Sequence, residues 1–290
     1  MIRVLASGAM YDGNGKRKKF HGYGVYTWTG KKHATYLGDW VHGVRNGVGI
    51  YRDKTGAEYI GQWKDNLRHG EGILSLPNGE EYVGAWEDGR MDGIGRLTSK
   101  NGDIYEGQFK MHKYDGMGLF VEGSTGNTYL GNFAANKAQG MGILSLASQG
   151  EKYKGMFDQN HRHGKGVCSY KNGSKYAGSW YRGLPSGFGI YLGPAITLTE
   201  NSVEGMVPPK RVDKYVGEWD GGQKHGVGRY IFSNGDFYDG DFRYNKAKGT
   251  GIYYHTNGNV YKGAWHDNKR QGRGNYMFTN GSTVSYFYFV

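Results

Sequence analysis

The sequence predicts an all-β fold: an elongated, solenoid-like stack of about ten to eleven antiparallel β-hairpins that form one twisted sheet. Three observations predict this architecture. A five-residue pattern, Tyr-x-Gly-x-Trp or Phe, recurs through the 290 residues, and its spacing is nearly constant. Glycine and tyrosine, at 53 and 25 residues, are far above ordinary usage. A fixed period of this length is typical of stacked units that bury their apolar faces against neighbours.

Ten complete copies of the pattern follow one another. Successive tyrosines lie 23, 23, 23, 24, 24, 23, 39, 23 and 23 residues apart, and a Gly-x-Gly pair begins eleven residues after each of them. A degenerate copy opens the array at Tyr11, and Val284 holds the tyrosine position in a final partial copy. The complete copies are Tyr36/Gly38/Trp40, Tyr59/Gly61/Trp63, Tyr82/Gly84/Trp86, Tyr105/Gly107/Phe109, Tyr129/Gly131/Phe133, Tyr153/Gly155/Phe157, Tyr176/Gly178/Trp180, Tyr215/Gly217/Trp219, Tyr238/Gly240/Phe242 and Tyr261/Gly263/Trp265.

Each copy is interpreted as a β-hairpin. Tyrosine, glycine and tryptophan at offsets 0, 2 and 4 share one face of a strand, because side chains alternate with period two. Offsets 11, 13 and 15 share one face of a second strand, and we expect the rings to cover glycines that have no side chain in the way. Asn-Gly pairs such as Asn78-Gly79 precede the next copy and indicate hairpin turns.

The copies divide the chain into five predicted segments. Residues 1–35 form a degenerate repeat and cap, 36–191 form repeats 1–7, 192–214 form an inserted loop, 215–283 form repeats 8–10, and 284–290 form a cap strand. The insertion holds three of the five prolines, Pro194, Pro208 and Pro209. Two interpretations remain open for it: a surface loop that the stack tolerates, or a partner-binding protrusion or bend.

The repeat resembles a known family. The stretches "YVGAWEDGRMDGIGRLTSKNG", "YIGQWKDNLRHGEGILSLPNG" and "YKGAWHDNKRQGRGNYMFTNG" are similar to MORN repeats, and the resemblance extends over residues 11 to 283. It implies a stacked-hairpin fold. Where members of the family are enzymes, such as certain lipid kinases and a SET-type methyltransferase, the activity resides in an added domain. We therefore expect no enzymatic activity from the repeats.

Other apparent motifs are better explained by the period. The Gly-x-Gly pairs lack the strand-to-helix context of a nucleotide loop. Four histidines occupy one repeat position, the residue before the first glycine of the pair, which argues against a metal site. Cys168 holds a core offset, as a small buried hydrophobe would. No catalytic, cofactor-binding or metal-binding residue is therefore predicted. The histidines are His21, His69, His163 and His225.

Composition predicts a soluble intracellular protein. Mean hydropathy is −0.72, the one cysteine allows no internal disulfide, and no stretch approaches the roughly 20 apolar residues of a spanning helix. The net charge is +11, and "KRKK" at 16–19 adds to it. Nearly every connection between the two strands of a copy carries a base, so we expect a basic edge along the stack. These bases are Arg45, Arg68, Arg90, Lys113, Lys137, Arg162, Arg182, Lys224, Lys246 and Lys269.

Three functions fit such a surface. The favoured one is a structural adaptor that holds a protein partner on its aromatic face, with the basic edge for orientation. The alternative is a peripheral membrane protein that binds anionic phosphoinositides. Nucleic-acid binding is disfavoured, since packing between the repeats consumes most of the rings. The residues predicted to contact partners are Trp40, Trp63, Trp86, Trp180, Trp219, Trp265, Arg45, Arg68 and Arg90; packing within the repeats is the other interpretation of the tryptophans.

The resemblance narrows the adaptor hypothesis. MORN arrays without an added domain are commonly parts of cytoskeletal structures, which implies a ciliary axoneme, with a radial-spoke-head-like protein favoured, or the cell cortex. The family also implies multi-subunit complexes and assembly through the ends of the array. The C-terminal "YFYFV" is an edge that could cap the sheet or pair with another chain.

Overall fold

The computed structural model describes residues 2–17, 19–29, 33–194 and 212–288. These residues contain no helix and form one open antiparallel sheet of 24 strands, as the hairpin prediction requires. The chain divides into two compact units, Met1–Gln139 and Gly140–Val290. Most of the predicted insertion, residues 195–211, lies outside the described residues, as do Lys18 in the basic cluster and the last two residues of the predicted cap strand.

The strands of the first unit follow the repeats two by two. They are β1 (Ile2–Val4), β2 (Met10–Lys16), β3 (Lys19–Thr27), β4 (Thr35–Val41), β5 (Val44–Arg52), β6 (Glu58–Lys64), β7 (Leu67–Ser75), β8 (Glu81–Glu87), β9 (Arg90–Thr98), β10 (Ile104–Lys110), β11 (Lys113–Val121) and β12 (Thr128–Ala134). The boundary between the units falls within β13 (Lys137–Leu146).

The second unit continues the same pattern. Its strands are β14 (Glu151–Asp158), β15 (His161–Ser169), β16 (Lys175–Tyr181), β17 (Leu184–Leu192), β18 (Lys214–Asp220), β19 (Gln223–Ile231), β20 (Phe237–Arg243), β21 (Lys246–Tyr254), β22 (Val260–His266), β23 (Lys269–Met277) and β24 (Thr283–Tyr288). Strands β17 and β18 flank the insertion and still pair directly, with Leu192 opposite Lys214. The ladder therefore continues across the insertion, and the segment from Thr283 pairs with β23.

Turn chemistry differs from the prediction in one respect. The tight two-residue turns lie inside each copy, for example Asp65 and Asn66 between β6 and β7, where both residues have positive φ (47° and 69°). This conformation matches the twist of paired strands. The Asn-Gly pairs also mark turns, but they lie in the longer connections between copies. There Gly79 has a positive φ of 87° and donates its N–H to the carbonyl oxygen of Leu76 at 3.0 Å.

The core is a single file of rings on one face of the sheet, here called the ring face, which carries the tyrosine and the tryptophan or phenylalanine of each copy. The Tyr36 ring packs edge-on against Trp40 and, in the next copy, against Trp63, with centroids 5.1 and 5.3 Å apart. Its hydroxyl donates to the carbonyl oxygen of Asp39 at 3.1 Å. A Cβ built on Gly49 would lie 2.3 Å from that hydroxyl oxygen. The predicted cover of glycines by rings is thus confirmed.

Candidate partner-binding surface

The six tryptophans predicted as partner contacts are buried in the ring face. Their exposed fractions range from 3 to 9%. Each indole N–H donates to a glycine carbonyl oxygen of the preceding copy: the bonds of Trp63 to Gly49 and of Trp265 to Gly251 measure 3.2 and 3.3 Å. Packing between copies is therefore the role that the structure describes for these residues. Contact with a partner remains a prediction for them. The other four are Trp40, Trp86, Trp180 and Trp219.

The bases that were expected to form one basic edge fall into two groups. Bases at offset 9 from the tyrosine lie opposite the tryptophan or phenylalanine in the ladder, as Arg68 does opposite Trp63. They are half-buried on the ring face. Bases at offset 8 from the tyrosine lie at the tight turns and are exposed, as Arg90 is. Arg182 is at offset 6 from the tyrosine of its copy and is also exposed. The first group is Arg45, Arg68, Arg162 and Lys224, and Arg270, which was not among the predicted bases, holds the same position; the second is Arg90, Lys113, Lys137, Lys246 and Lys269.

Arg45 and Arg68 occupy equivalent places in successive copies. Their guanidinium carbons lie 4.2 Å from the ring centroid of Trp63 and 4.1 Å from that of Trp86, within the range of cation–π attraction. Each donates from Nη2 to a turn carbonyl oxygen, Arg45 to Asn66 at 2.8 Å and Arg68 to Gly89 at 3.2 Å. These contacts fix the two planes on the ring face.

Burial acts on the charges of this pair, as it does on that of Lys224 in the second unit. Burial lowers the pKa of both Arg45 and Arg68, because a cation loses hydration there. Within the described part of the chain, neither guanidinium lies within ion-pair distance of a carboxylate. A guanidinium carries five N–H donors, and the backbone bonds use only part of that capacity. The pair therefore presents positive charge and hydrogen-bond donors that the described residues do not neutralise.

One of the equivalent bases in the second unit, Arg162, is neutralised internally. Arg162 lies 4.7 Å from the centroid of Trp180 and forms an ion pair with Glu151. The thiol of Cys168 donates to the same carboxylate at 3.2 Å. Burial, reinforced by Glu151, raises the pKa of Cys168 to about 12, and its side chain is fully buried. The prediction that Cys168 is a buried core residue is confirmed.

A hollow of about 690 Å³ opens on the ring face around the arginine pair. Arg45, Arg68, Tyr51 and Leu74 line it, together with Arg90 at the rim. Three acidic residues also line it: Glu58 pairs with Arg52, Asp53 accepts from the amide N–H of Thr55 at 2.7 Å, and Asp88 is exposed and lies beyond ion-pair distance of both arginines. Smaller hollows of about 370 and 320 Å³ open on the ring face of the second unit beside Lys224 and Arg162.

The accessible apolar residues of the ring face were not predicted as a surface. The ten residues at offset 15 from the tyrosines each lie opposite a tyrosine in the ladder, as Tyr51 does opposite Tyr36. Nine of the ten are only half-buried. They carry the accessible apolar surface above the buried rings. Their signal in the sequence is that every one is apolar or aromatic. The nine are Tyr51, Leu74, Leu97, Phe120, Leu144, Tyr191, Tyr230, Tyr253 and Tyr276.

Neither a cluster of metal ligands nor a membrane-spanning helix is found in the part of the chain that the structure describes. Ranges 2–17, 19–29, 33–194 and 212–288 hold no cluster of three or more histidine, cysteine, aspartate or glutamate residues that could bind a metal. Over the same ranges there is no helix of the length and apolarity needed to span a bilayer. The buried Nδ1 atoms of His21, His69 and His225 have no hydrogen-bond partner there.

Comparison with protein families decides the assignment. A model of the MORN repeat matches residues 11–31, 36–58, 59–81, 82–104, 105–121, 129–151, 153–175, 176–195, 215–237, 238–260 and 261–283. The chain belongs to the MORN-repeat family. The resemblance inferred from the repeated motif is thereby confirmed. MORN repeats generally build non-enzymatic scaffolds that bind proteins or associate with membranes.

Among solved structures, this MORN-repeat chain is similar to domains of a centriole protein. The TCP10 domain of Danio rerio CPAP has 12% identity, with 74% of this chain and 93% of that chain covered and a TM-score of 0.40. A CPAP G-box domain has 13% identity, coverages of 76% and 100%, and a TM-score of 0.38. The SAS-4 TCP domain of Drosophila melanogaster, solved with a proline-rich motif of Ana2, has 10% identity, coverages of 75% and 90%, and a TM-score of 0.27.

Proposed function

We propose that the protein is a non-enzymatic scaffold whose ring face holds an extended, acidic segment of a protein partner. The observation that carries the proposal is the Arg45 and Arg68 pair: two half-buried guanidiniums, stacked on tryptophans, that line one hollow without a carboxylate partner among the described residues. A carboxylate binds a guanidinium in a bidentate geometry, in which its two oxygens accept from two parallel N–H donors of the planar group. An acidic segment would supply the missing charge.

Repeat geometry indicates the spacing of those acids. Arg45 lies on β5 and Arg68 on β7, two strands apart, which corresponds to about 9.6 Å at an ordinary strand spacing. A polyproline II chain rises about 3.1 Å per residue with three residues per turn, so side chains three apart share a face at about 9.3 Å. Carboxylates at every third residue would therefore meet successive arginines. Tyr51 and Leu74 line the same hollow and offer apolar contact to the residues between them.

Fluorescence polarisation with a defined probe tests this proposal. The probe is a labelled, proline-rich peptide with glutamate at every third position, and the comparison peptide has the same composition with adjacent glutamates. We expect the spaced peptide to bind the full chain more tightly, and Arg45→Gln with Arg68→Gln to weaken it at least about tenfold, the loss expected when a charge-assisted pair is removed. Lys113→Gln, an exposed turn base outside the hollow, is the matched control. Equal binding by the double variant would refute the proposal.

An anionic membrane is the second candidate, favoured by the net charge of +11 and the exposed turn bases Arg90, Lys113 and Lys137. Liposome flotation distinguishes it. The wild type should float with phosphoinositide vesicles if a membrane is the target, and charge reversal at Arg45, Arg68 and Arg90 should then abolish flotation. Peptide binding without flotation would support the protein-binding scaffold.

The cellular setting proposed for this scaffold comes from the family alone. Members that lack an added catalytic domain commonly belong to cytoskeletal assemblies, so we infer a multi-subunit cytoskeletal complex, with the ciliary axoneme (a radial-spoke-head-like role) favoured over the cell cortex. Detergent extraction of cells that express the tagged chain at its native level, followed by imaging, tests this location. Retention on axonemes or cortical filaments supports it, and release with the membranes contradicts it.

A further inference from the structure

The face opposite the rings carries an uninterrupted row of aliphatic side chains in the first unit. Six neighbouring strands, β3 to β8, each contribute one residue, and each residue lies directly opposite the next in the ladder. We call this row the aliphatic ladder. Four of its members are 36–41% exposed, which is high for aliphatic side chains aligned in one row. The ladder consists of Val25, Leu37, Ile50, Ile60, Ile73 and Val83.

Opposite charges end the ladder. Asp12 on β2 pairs in register with Val25 at one end, and Arg96 on β9 pairs with Val83 at the other. Both side chains are exposed. Six strands at about 4.8 Å give the ladder a length of about 24 Å. A contiguous apolar patch rimmed by polar groups is typical of an interaction site.

The order of residues along the ladder is self-complementary. A two-fold axis parallel to the strands, between Ile50 and Ile60, places each position of one copy against a position of similar size in another. Ile50 then faces Ile60, Leu37 faces Ile73 and Val25 faces Val83. The same axis brings Asp12 of each copy opposite Arg96 of the other, so the dimer has two such pairs, one at each end of the ladder. An interface with one such axis uses the same patch on both subunits, as most homodimers do.

From this complementarity, we propose that the reverse face of the first unit docks against a second copy of the chain. The two sheets pack face to face with their strands aligned, about 10 Å apart, as in a β-sandwich. Beside the ladder, Arg52 and Glu58, which form an ion pair within each copy, would face the same pair of the other copy with opposite charges opposed. This site lies on the opposite side of the sheet from the arginine pair, so it is independent of partner binding on the ring face.

The size of the patch sets the strength of the dimer. Four side-chain rows about 6.6 Å apart, over a length of 24 Å, give a footprint of about 480 Å² per copy. A standard stable interface buries about 800 Å² per partner, so the dimer is expected to be weak, with a dissociation constant in the micromolar range. One contact opposes it: the axis places Asp39 of one copy near Glu71 of the other, and like charges repel.

Sedimentation equilibrium of the full chain over about 1–200 µM tests the proposal, since that range brackets the expected constant. We expect a monomer–dimer equilibrium in the wild type. Ile60→Lys at the centre of the ladder should give a monomer throughout. Met117→Lys, an exposed reverse-face substitution beyond the ladder, should leave the equilibrium unchanged. Circular dichroism confirms that both variants are folded.

Charge exchange makes the test specific to the proposed axis. Arg96→Asp alone should weaken the dimer, and Arg96→Asp combined with Asp12→Arg should restore it. Glu71→Gln should strengthen it by removing the repulsion. A wild type that stays monomeric at about 200 µM, a dimer that persists in Ile60→Lys, or a double exchange that restores nothing would each overturn the proposal.

Discussion

The indole nitrogen of Trp63 donates a hydrogen bond of 3.2 Å to the carbonyl oxygen of Gly49 in the preceding copy. The same bond recurs at each of the six predicted tryptophans, so in these six copies one indole donor ties a strand to the hairpin before it. Phenylalanine holds this position in four copies and keeps the ring without the donor. The family motif therefore combines two separable contributions, ring packing and a buried hydrogen bond.

Trp63→Phe should separate these contributions. It retains an edge-on ring against Tyr36 and Tyr59 but removes the hydrogen bond to the Gly49 carbonyl oxygen, which costs about 0.5–1.5 kcal/mol of unfolding free energy. Trp63→Ala removes the ring as well and should cost about 3–5 kcal/mol. Urea unfolding followed by circular dichroism measures both. Equal losses for the two variants would show that the hydrogen bond, not the ring, dominates.

Gly49→Ala should be among the most destabilising single substitutions in the first unit. The added Cβ would meet the Tyr36 hydroxyl oxygen at 2.3 Å and its Cζ at 2.4 Å, and the Tyr36 ring is fully buried. We expect a loss of about 3 kcal/mol or more, because the ring must leave its site. The matched control is Gly79→Ala, which has a φ of 87° and no atom within 4 Å. That change should cost only the roughly 1–2 kcal/mol of left-handed backbone. Similar losses in both variants would contradict the role of Tyr36.

Alkaline pH should unfold the ring face. Burial raises the pKa of Tyr59, Tyr129, Tyr153 and Tyr176 from 10.0 to about 12. The unfolded chain therefore loses these protons first, and the folded state binds more protons between pH 10 and 12. Stability is full below pH 10 and falls as pH rises towards 12. Tyrosinate absorbance and circular dichroism, recorded together, should change in one step. Ionisation of the buried rings near pH 10 without loss of structure would contradict this prediction.

Cys168 should be inert until the second unit opens. Its fully buried thiol donates to Glu151, and burial raises the pKa of Cys168 to about 12, so the reactive thiolate is scarce at neutral pH. We expect a disulfide reagent to label it at the rate of local unfolding and fully in denaturant. Glu151→Gln removes the ion pair with Arg162 and should accelerate labelling in the folded protein. Fast labelling of the wild type at pH 7 would contradict the buried position.

Periodicity made the fold predictable. Tyrosine at offset 0 and glycine at offsets 2 and 13 leave one compatible packing, in which Tyr36 lies over Gly49, and the strand pairing follows from it. The tight turns were less visible, because Asp65-Asn66 adopts the same positive φ that Asn-Gly is best known for. Local composition does not reveal which of two turns in a hairpin array is the shorter one.

The site was predictable only in part. Arg45, Arg68 and Arg90 looked equivalent in the sequence, because all three lie between the two strands of a copy. Arg45 and Arg68 are at offset 9 from the tyrosine and lie on the ring face, whereas Arg90 is at offset 8 and is exposed at a turn. The β-bulge between Gly38 and Trp40 changes the register within each hairpin, and period-two counting does not show it. The internal neutralisation of Arg162 by Glu151 likewise depends on contact across strands.

Selection from a displayed random-peptide library tests the central claim, binding of acidic segments by the ring face, most directly. The wild-type chain is the bait, and Arg45→Gln with Arg68→Gln is the counter-selection bait. The account predicts enrichment of acidic, proline-containing peptides with carboxylates three residues apart, lost on the double variant and retained on Lys113→Gln. Enrichment of basic or uncharged peptides, or of the same peptides by both baits, would contradict it.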